Sequence, residues 1–569
     1  MTTFSTNKIK LFLSDKKVTV IILALAIGAR VMQLIYFYNI RVDASFQVMG
    51  TQNLLSGHGI SLAKVVPSDI SSIIYEPLIN WPPGYSLLLT PFYIIFNHNY
   101  IAAGLTLDII AAITLIFITR GILQILNTPL YLINIFTLIN GFFIYYFYFI
   151  ASSDAIAITF FLIALYFTLV LIKNIPSFSG AQDLQDVSSK ASSVQREKKI
   201  PWVFKTSMII VCLFICGLIK YLFIPVVFVI PLFLIAKGIA DRNAIHKKAG
   251  IIMLFTLAIS IGAVLLIQKM TSGSATYISS GGRGLFFENL LSAYPFIPAS
   301  IIKPDSIALL INQPELQTVL FHIFQWMHLV FILFVLIYLV LNLKKFAYER
   351  MSVTDSFMLL TCLISLAITL LLTVLSIRVA KEEIMPGILW TYVEEPRYYG
   401  LPCVLLHMAI FGISQYYRSN RSRLMKFVLY FLILSLVPEM ARGMIFTVHR
   451  VQNIGKEEYS WQYENRFQKY ADSIIINASK KYSTNKIVVT GTSYYMNHRV
   501  ILHSHVPPLN EVGIINNLSS LNTTSPVLLF IILHERDLAG FKSFLSNKEK
   551  DETGYFEGFH FYTCYITPH

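Results

Sequence analysis

Long apolar runs, separated by short polar breaks, set the pattern of this chain. Runs near residues 18–38, 101–122, 129–149, 151–173, 249–267, 319–343, 353–377, 399–417 and 427–446 each approach the ~20 residues that cross a bilayer as a helix. Thr206–Gly238 is too long for one ordinary span at ~1.5 Å per residue, and Lys220-Tyr221, Pro225 and Pro231 interrupt it. The pattern therefore predicts two short spans meeting near Lys220, and about eleven membrane helices in all. Trp81-Pro82-Pro83-Gly84-Tyr85 through Phe96 is apolar but too short to cross and broken by proline. It is expected to lie as an interfacial or re-entrant segment in a large outer loop, 39–100.

Two stretches break the pattern. Residues 174–204 are rich in Ser, Gln, Asp and Lys and read as a linker. Beyond residue 446, Lys486–Thr492 and Val527–Leu533 are short β-type runs separated by polar, helix-compatible sequence. The expected fold class is an all-α polytopic membrane module, 1–446, followed by a small α/β domain, 447–569.

Composition narrows the class further. Of 569 residues, 55% are hydrophobic and 13% charged, about half the usual quarter of charged residues. A soluble multidomain enzyme, a disordered scaffold and a disulfide-built secreted domain are all excluded. The net charge of +14 would suggest nucleic acid in a soluble protein. Here the cations cluster in short loops, so orientation in the membrane explains them and no nucleic-acid partner is expected. Lys8, Lys10, Lys16 and Lys17 precede the first run; Arg120, the Lys190–Lys199 group, Arg242 with Lys247, Lys344 with Lys345, and Arg418 to Lys426 alternate with the later ones. That puts the N-terminus in the cytoplasm of an integral, multi-pass inner-membrane protein. Segments 268–318 and 378–400 and the tail then face outward. Cys212 and Cys216 share a helix face, but nothing completes a metal site; they read as packing residues.

Ionisable groups at the outer boundary are the candidates for chemistry. Asp43, just past the first span, is either a general base at a dry interface or the N-cap of a helix over 44–56. Asp154 stands where the third span hands over to the fourth, again as functional acid or cap. With Glu76, upstream of the Trp-Pro-Pro-Gly-Tyr segment, the outer face carries three carboxylates. They leave a divalent metal open but do not establish one. Lys220 at the turn of the two short spans and Arg397 in Glu394-Glu-Pro-Arg-Tyr-Tyr supply cations that suit phosphate. Their alternatives are snorkelling to the interface for Lys220 and pairing with Glu394 or Glu395 for Arg397. The glycine-rich stretch Ser272–Gly284 lacks the context of a nucleotide loop and reads as an outer loop.

The ordered set Asp43, Leu54-Leu-Ser-Gly-His-Gly-Ile, Trp81-Pro-Pro-Gly-Tyr-Ser-Leu-Leu-Leu-Thr-Pro-Phe-Tyr, Ser152-Ser-Asp154 and Glu395-Pro-Arg-Tyr-Tyr-Gly-Leu-Pro resembles the bacterial membrane glycosyltransferases of the C-type (GT-C) fold. These are akin to protein mannosyltransferases and lipid A aminoarabinose transferases, and the resemblance covers roughly the first 420 residues. It implies transfer of a sugar, with inversion, from a polyprenyl-phosphate donor to a lipid, glycan or protein hydroxyl on the outer face. Asp43 matches the family's catalytic aspartate and Asp154 its second acidic position, where Glu is frequent. Arg397, Lys220 and Tyr398 would hold the donor phosphate, while Glu76, Trp81 and Tyr85 would line the acceptor and donor site. No histidine stands where it would ligate a metal, so metal dependence stays open. The rival class is a polytopic lipid or glycan transporter or flippase, which would place its charges near the midplane.

Overall fold

A computed structural model describes residues 6–37, 42–142, 153–174, 201–274, 351–378, 396–413, 423–452 and 461–492, most of 285–348 and 500–568, and the strands between 382 and 390. Some helix side chains, Asp43 and Arg397 among them, lie outside the described set, as does most of the 272–284 loop.

The first main elements are α1 (Thr6–Leu13), α2 (Lys16–Phe37), α3 (Val42–Leu55), β1 (Ser61–Val66), β2 (Asp69–Pro77) and α4 (Gly84–Ile95). There follow α5 (Tyr100–Ile125), α6 (Leu130–Phe142), α7 (Ser153–Asn174), α8 (Trp202–Ile219), α9 (Phe223–Val227), α10 (Val229–Ala240) and α11 (Ala244–Ser272). Next come α12 (Phe296–Ile301), α13 (Leu316–Tyr348), α14 (Val353–Ser376), β3 (Glu382–Met385), β4 (Ile388–Trp390), α15 (Gly400–Gly412), α16 (Arg423–Ser435) and α17 (Val437–Gln452). The tail adds α18 (Trp461–Tyr482), β5 (Ile487–Gly491), β6 (Val527–His534), β7 (Lys550–Phe556) and β8 (Phe559–Ile566).

Among the described residues, nine helices are long and apolar enough to cross a membrane. Shorter apolar helices at Leu130–Phe142 and Gly400–Gly412 stand where two more spans are expected, and Gly84–Ile95 is the short segment after Trp81. The polytopic helical class with a small C-terminal α/β portion is thus observed. Many long side chains on these helices point outward: α13 exposes Leu333, Phe334, Val340 and Leu341. In water that surface would be prohibitive; in lipid it is the expected outer face.

The chain divides into two compact units. The first comprises Met1–Met32, Asp108–Leu266 and Ser280–Val448. Its helices approach closely where side chains are small. A Cβ at Gly141 on α6 would stand 2.5 Å from the Ala26 Cα of α2, so only glycine permits that crossing. Polar groups inside the bundle find partners along neighbouring helices, as membrane burial demands. Arg30 donates to the Asn140 carbonyl, Thr159 reaches the Ala111 carbonyl at 3.4 Å, and Asn289 donates to the Ser376 carbonyl at 2.8 Å.

The second unit joins Gln33–Leu107 and Ile267–Ser279 to His449–His569. Its sheet has the order β5-β6-β8-β7, with β5 and β6 parallel and the others antiparallel. Every residue of β6 from Val527 to Leu533 is buried, which explains a continuous apolar run where a one-sided strand would alternate. Glu557 and Gly558, at φ 44° and 90°, turn β7 back into β8, a backbone that glycine accepts readily. The antiparallel β1–β2 hairpin is anchored in this unit's core: Val65 and Ile70 are buried with Leu509, Leu521 and Leu529. Val65 N–H donates to the Pro508 carbonyl at 3.1 Å and Ile70 N–H to that of Asn522 at 3.0 Å. At its tip, Ser71 and Ser72 donate to the Asp69 carboxylate, and Thr524 N–H does so at 3.3 Å. The serine hydroxyls, which favour the ionised form, hold Asp69 well below the usual carboxylate range.

Candidate functional site

Helix α7 begins at Ser153, so Asp154 falls in its first turn, where the helix dipole favours an anion. Helix α8 runs antiparallel to it and stops at Ile219, because Lys220 leaves the helix with φ −145° and ψ 122°. The chain resumes at Phe223, with Pro225 inside the short α9 and Pro231 near the start of α10. Proline is tolerated in the opening turn of a helix, where its missing N–H has no partner to lose. The break expected near Lys220 is therefore real. It brings a helix end carrying a cation against a helix start carrying an anion.

The two side chains meet with both carboxylate oxygens engaged. Lys220 Nζ lies 2.8 Å from Asp154 Oδ1 and 2.9 Å from Oδ2. Both groups are almost fully enclosed, at 9% and 5% side-chain exposure. The ammonium also sits 5.0 Å from the centroid of the Tyr398 ring, within range of a cation–π attraction. Tyr398 belongs to the 3₁₀ turn Pro396–Tyr399 that leads into α15. Three residues from distant parts of the sequence thus form one cluster, a buried ion pair with a half-buried ring beside it. Arg397 shares the turn with Tyr398, and its side chain lies outside the described residues.

The other candidates lie in the second unit. Helix α3 opens at Val42, which puts Asp43 in its first turn, though the Asp43 side chain is outside the described residues. Trp81 stacks on Phe46 of α3, ring centroids 4.8 Å apart and planes 21° from parallel. Tyr85 is 1% exposed at the start of α4. These two helices are tied by polar bonds: Ser86 Oγ donates to the Gln47 carbonyl at 2.7 Å, and Gln52 Nε2 to Tyr93 Oη at 3.1 Å. Gly50 makes the approach feasible, since a Cβ there would meet Ser86 Oγ at 3.0 Å. Glu76 is half exposed on β2 and pairs with Lys64 of β1 at 2.6 Å, an exposed ion pair of small energetic weight. Its neighbour Tyr75 stacks on His58 at 3.7 Å, which accounts for His58 as part of the turn.

Among the described residues, no three His, Cys, Asp or Glu side chains converge as a metal group. Asp154 is engaged by the Lys220 ammonium and Glu76 by Lys64.

Sequence reasoning passed over two groups. Asp108 in α5 is 4% exposed, and among the described residues neither of its carboxylate oxygens has a hydrogen-bond partner. Arg30 in α2 is 1% exposed. Each is a lone ionisable residue inside an apolar run, a signal that by itself marks a site for scrutiny. Arg120, read as part of a loop, lies within α5 and is 7% exposed.

No protein-family model matches the chain, and no curated protein matches it. Among solved structures it is similar to the Archaeoglobus fulgidus oligosaccharyltransferase in complex with Zn and sulfate. That likeness has a TM-score of 0.46 at 10% identity, over 91% of this chain and 68% of that one. It is also similar to ArnT from Cupriavidus metallidurans in the apo state, with a TM-score of 0.47 at 10% identity, over 96% of this chain and 98% of that one. For the same ArnT bound to undecaprenyl phosphate the TM-score is 0.43 at 11% identity, with the same coverage.

Proposed function

We propose that this chain is an integral-membrane glycosyltransferase of the GT-C class. In this reading it moves a sugar from a polyprenyl-phosphate donor to an acceptor hydroxyl on the outer face of the inner membrane, with inversion. Asp43 removes the hydroxyl proton as the acceptor oxygen attacks the anomeric carbon. The bond from that carbon to the phosphate oxygen breaks on the opposite face, and the departing lipid phosphate carries the negative charge. Lys220 and Arg397 meet that charge, which requires no strong acid for departure. Asp154 holds Lys220 in place, Tyr398 packs against the ammonium, and Glu76, Trp81 and Tyr85 shape the approach of the substrates. The donor's prenyl chain stays in lipid while its sugar is kept from bulk water.

The observation that carries this reading is the enclosed Lys220, held 2.8 Å from Asp154 and 5.0 Å from the Tyr398 ring. A bundle that merely anchored an outer domain would have no use for a desolvated ammonium at a helix break. Transporters bind cargo near the midplane at the ends of broken half-helices; Lys220 instead follows Trp202–Ile219, a helix of 18 residues, nearly long enough to cross by itself. Asp43→Asn tests the chemistry: sugar transfer in isolated membranes should vanish with protein abundance unchanged. Full activity in that variant removes Asp43 from the mechanism.

A further inference from the structure

The first unit carries a second cationic site, unrelated to the Lys220 cluster. Arg120 lies five residues before the end of α5 at Ile125 and is 7% exposed. Its Nη1 donates to Asn134 Oδ1 at 3.0 Å and to Thr137 Oγ1 at 2.6 Å, both on α6. Asn134 in turn donates to the Leu13 carbonyl at 2.7 Å and to Thr19 Oγ1 at 2.8 Å. This chain of bonds fixes the guanidinium beside the first turn of α2, at the end of the bundle where the N-terminus lies. Nε and Nη2 carry the remaining three of its five donors. Among the described residues no carboxylate pairs with Arg120. An enclosed cation with neutral neighbours only is costly unless an anion joins it.

The surroundings say which anion fits. Lys10 of α1 holds its ammonium 5.6 Å from the Tyr131 ring on α6, and Lys16 and Lys17 are exposed at the start of α2. The one acidic side chain described there, Asp15, is spent on the cap of α2, accepting from Lys17 N–H at 2.7 Å and Val18 N–H at 3.2 Å. Between the cations, Leu11 is 79% and Phe12 64% exposed. A free phosphate ion would use the charges and have no use for these two side chains. A lipid would use both. Basic pockets between helices, bordered by apolar surface, are the arrangement that captures acidic head groups.

We propose that this end of the first unit binds one acidic phospholipid from the leaflet adjoining the N-terminus, the cytoplasmic leaflet in the topology read from the basic loops. Arg120 and Lys10 take the phosphate, and Leu11 and Phe12 lie among the acyl chains. The lipid clamps α1, α5 and α6 to the first turn of α2. The proposal is independent of sugar transfer, so its failure would leave that reading untouched.

The test is native mass spectrometry of the full chain in neutral detergent, titrated with phosphatidylglycerol or phosphatidylcholine. The wild type should hold one phosphatidylglycerol at about tenfold lower lipid concentration than phosphatidylcholine. Arg120→Gln should abolish that preference. Lys10→Gln, which removes a charge at the surface and leaves the helix bundle intact, should reduce it severalfold. Thermal denaturation of the same samples supplies the second readout: phosphatidylglycerol should raise the wild-type midpoint, and inorganic phosphate should not. Equal retention of the two lipids by the wild type, or an undiminished preference in Lys10→Gln, would overturn the proposal. Stabilisation by inorganic phosphate equal to that by the lipid would overturn it as well, by showing a site for a free anion.

Discussion

Replacing Lys220 by Met separates the structural work of the Asp154–Lys220 pair from its chemical work. At 2.8 Å and an effective dielectric constant near 20, the attraction between the two charges is about 6 kcal/mol. Enclosing both ions costs several kcal/mol each, so the pair as a whole is nearly neutral for stability. Lys220→Met removes one partner and leaves Asp154, at 5% side-chain exposure, without its counter-charge. Breaking such a pair destabilises by ~3–5 kcal/mol, and the lost contact with Tyr398 adds ~1 kcal/mol. Asp154→Asn combined with Lys220→Met removes both charges and should recover most of the stability. If Lys220 meets charge on the donor phosphate, transfer stays depressed by ~10²–10³-fold in the double variant. The assay pairs the thermal denaturation midpoint of the detergent-solubilised protein with the rate of sugar transfer to acceptor. Recovery of both stability and transfer would show that Lys220 serves only to neutralise Asp154. A double variant as unstable as the two single losses combined would refute the energetic reasoning.

Two other residues, Arg397 and Asp69, give further outcomes. Arg397→Ala should raise the donor requirement more than the acceptor requirement in steady-state transfer; equal losses for both would count against a phosphate role. Asp69, held low by the Ser71 and Ser72 hydroxyls, stabilises the hairpin tip fully above the ordinary carboxylate range near 4. That contribution is lost as pH falls through the lowered native value. Asp69→Asn should therefore loosen the hairpin at pH 7 and flatten its acid sensitivity, read as proteolysis of the 61–77 segment against pH. An unchanged acid profile would place the sensitivity elsewhere.

The helical architecture was legible because lipid imposes long apolar runs and proline marks where they break. Pro225 and Pro231 located the interruption at Lys220, and the start of α7 put Asp154 at a helix terminus. Their pairing was not legible, since it depends on α7 and α8 packing antiparallel across a long intervening linker. Arg120 looked like one more loop cation in a count of basic segments; only the bonds to Asn134 and Thr137 reveal it as an interior residue. In the tail, the apolar runs that became β5 and β6 were readable. The charged start of β7, Lys550-Asp-Glu, hid an edge strand, although Glu557-Gly558 is a hairpin signal. The β1–β2 hairpin escaped notice because its core partners, Leu509, Leu521 and Leu529, lie more than four hundred residues away.

The central claim is that this chain adds a sugar to something outside the membrane. Mass spectrometry of envelope glycans and glycolipids tests it most directly, in cells with the chain, without it, and carrying only Asp43→Asn. The account predicts that one glycan or glycolipid lacks the same sugar in both altered strains and regains it with the wild-type chain. Identical glycans and glycolipids in all three would contradict it.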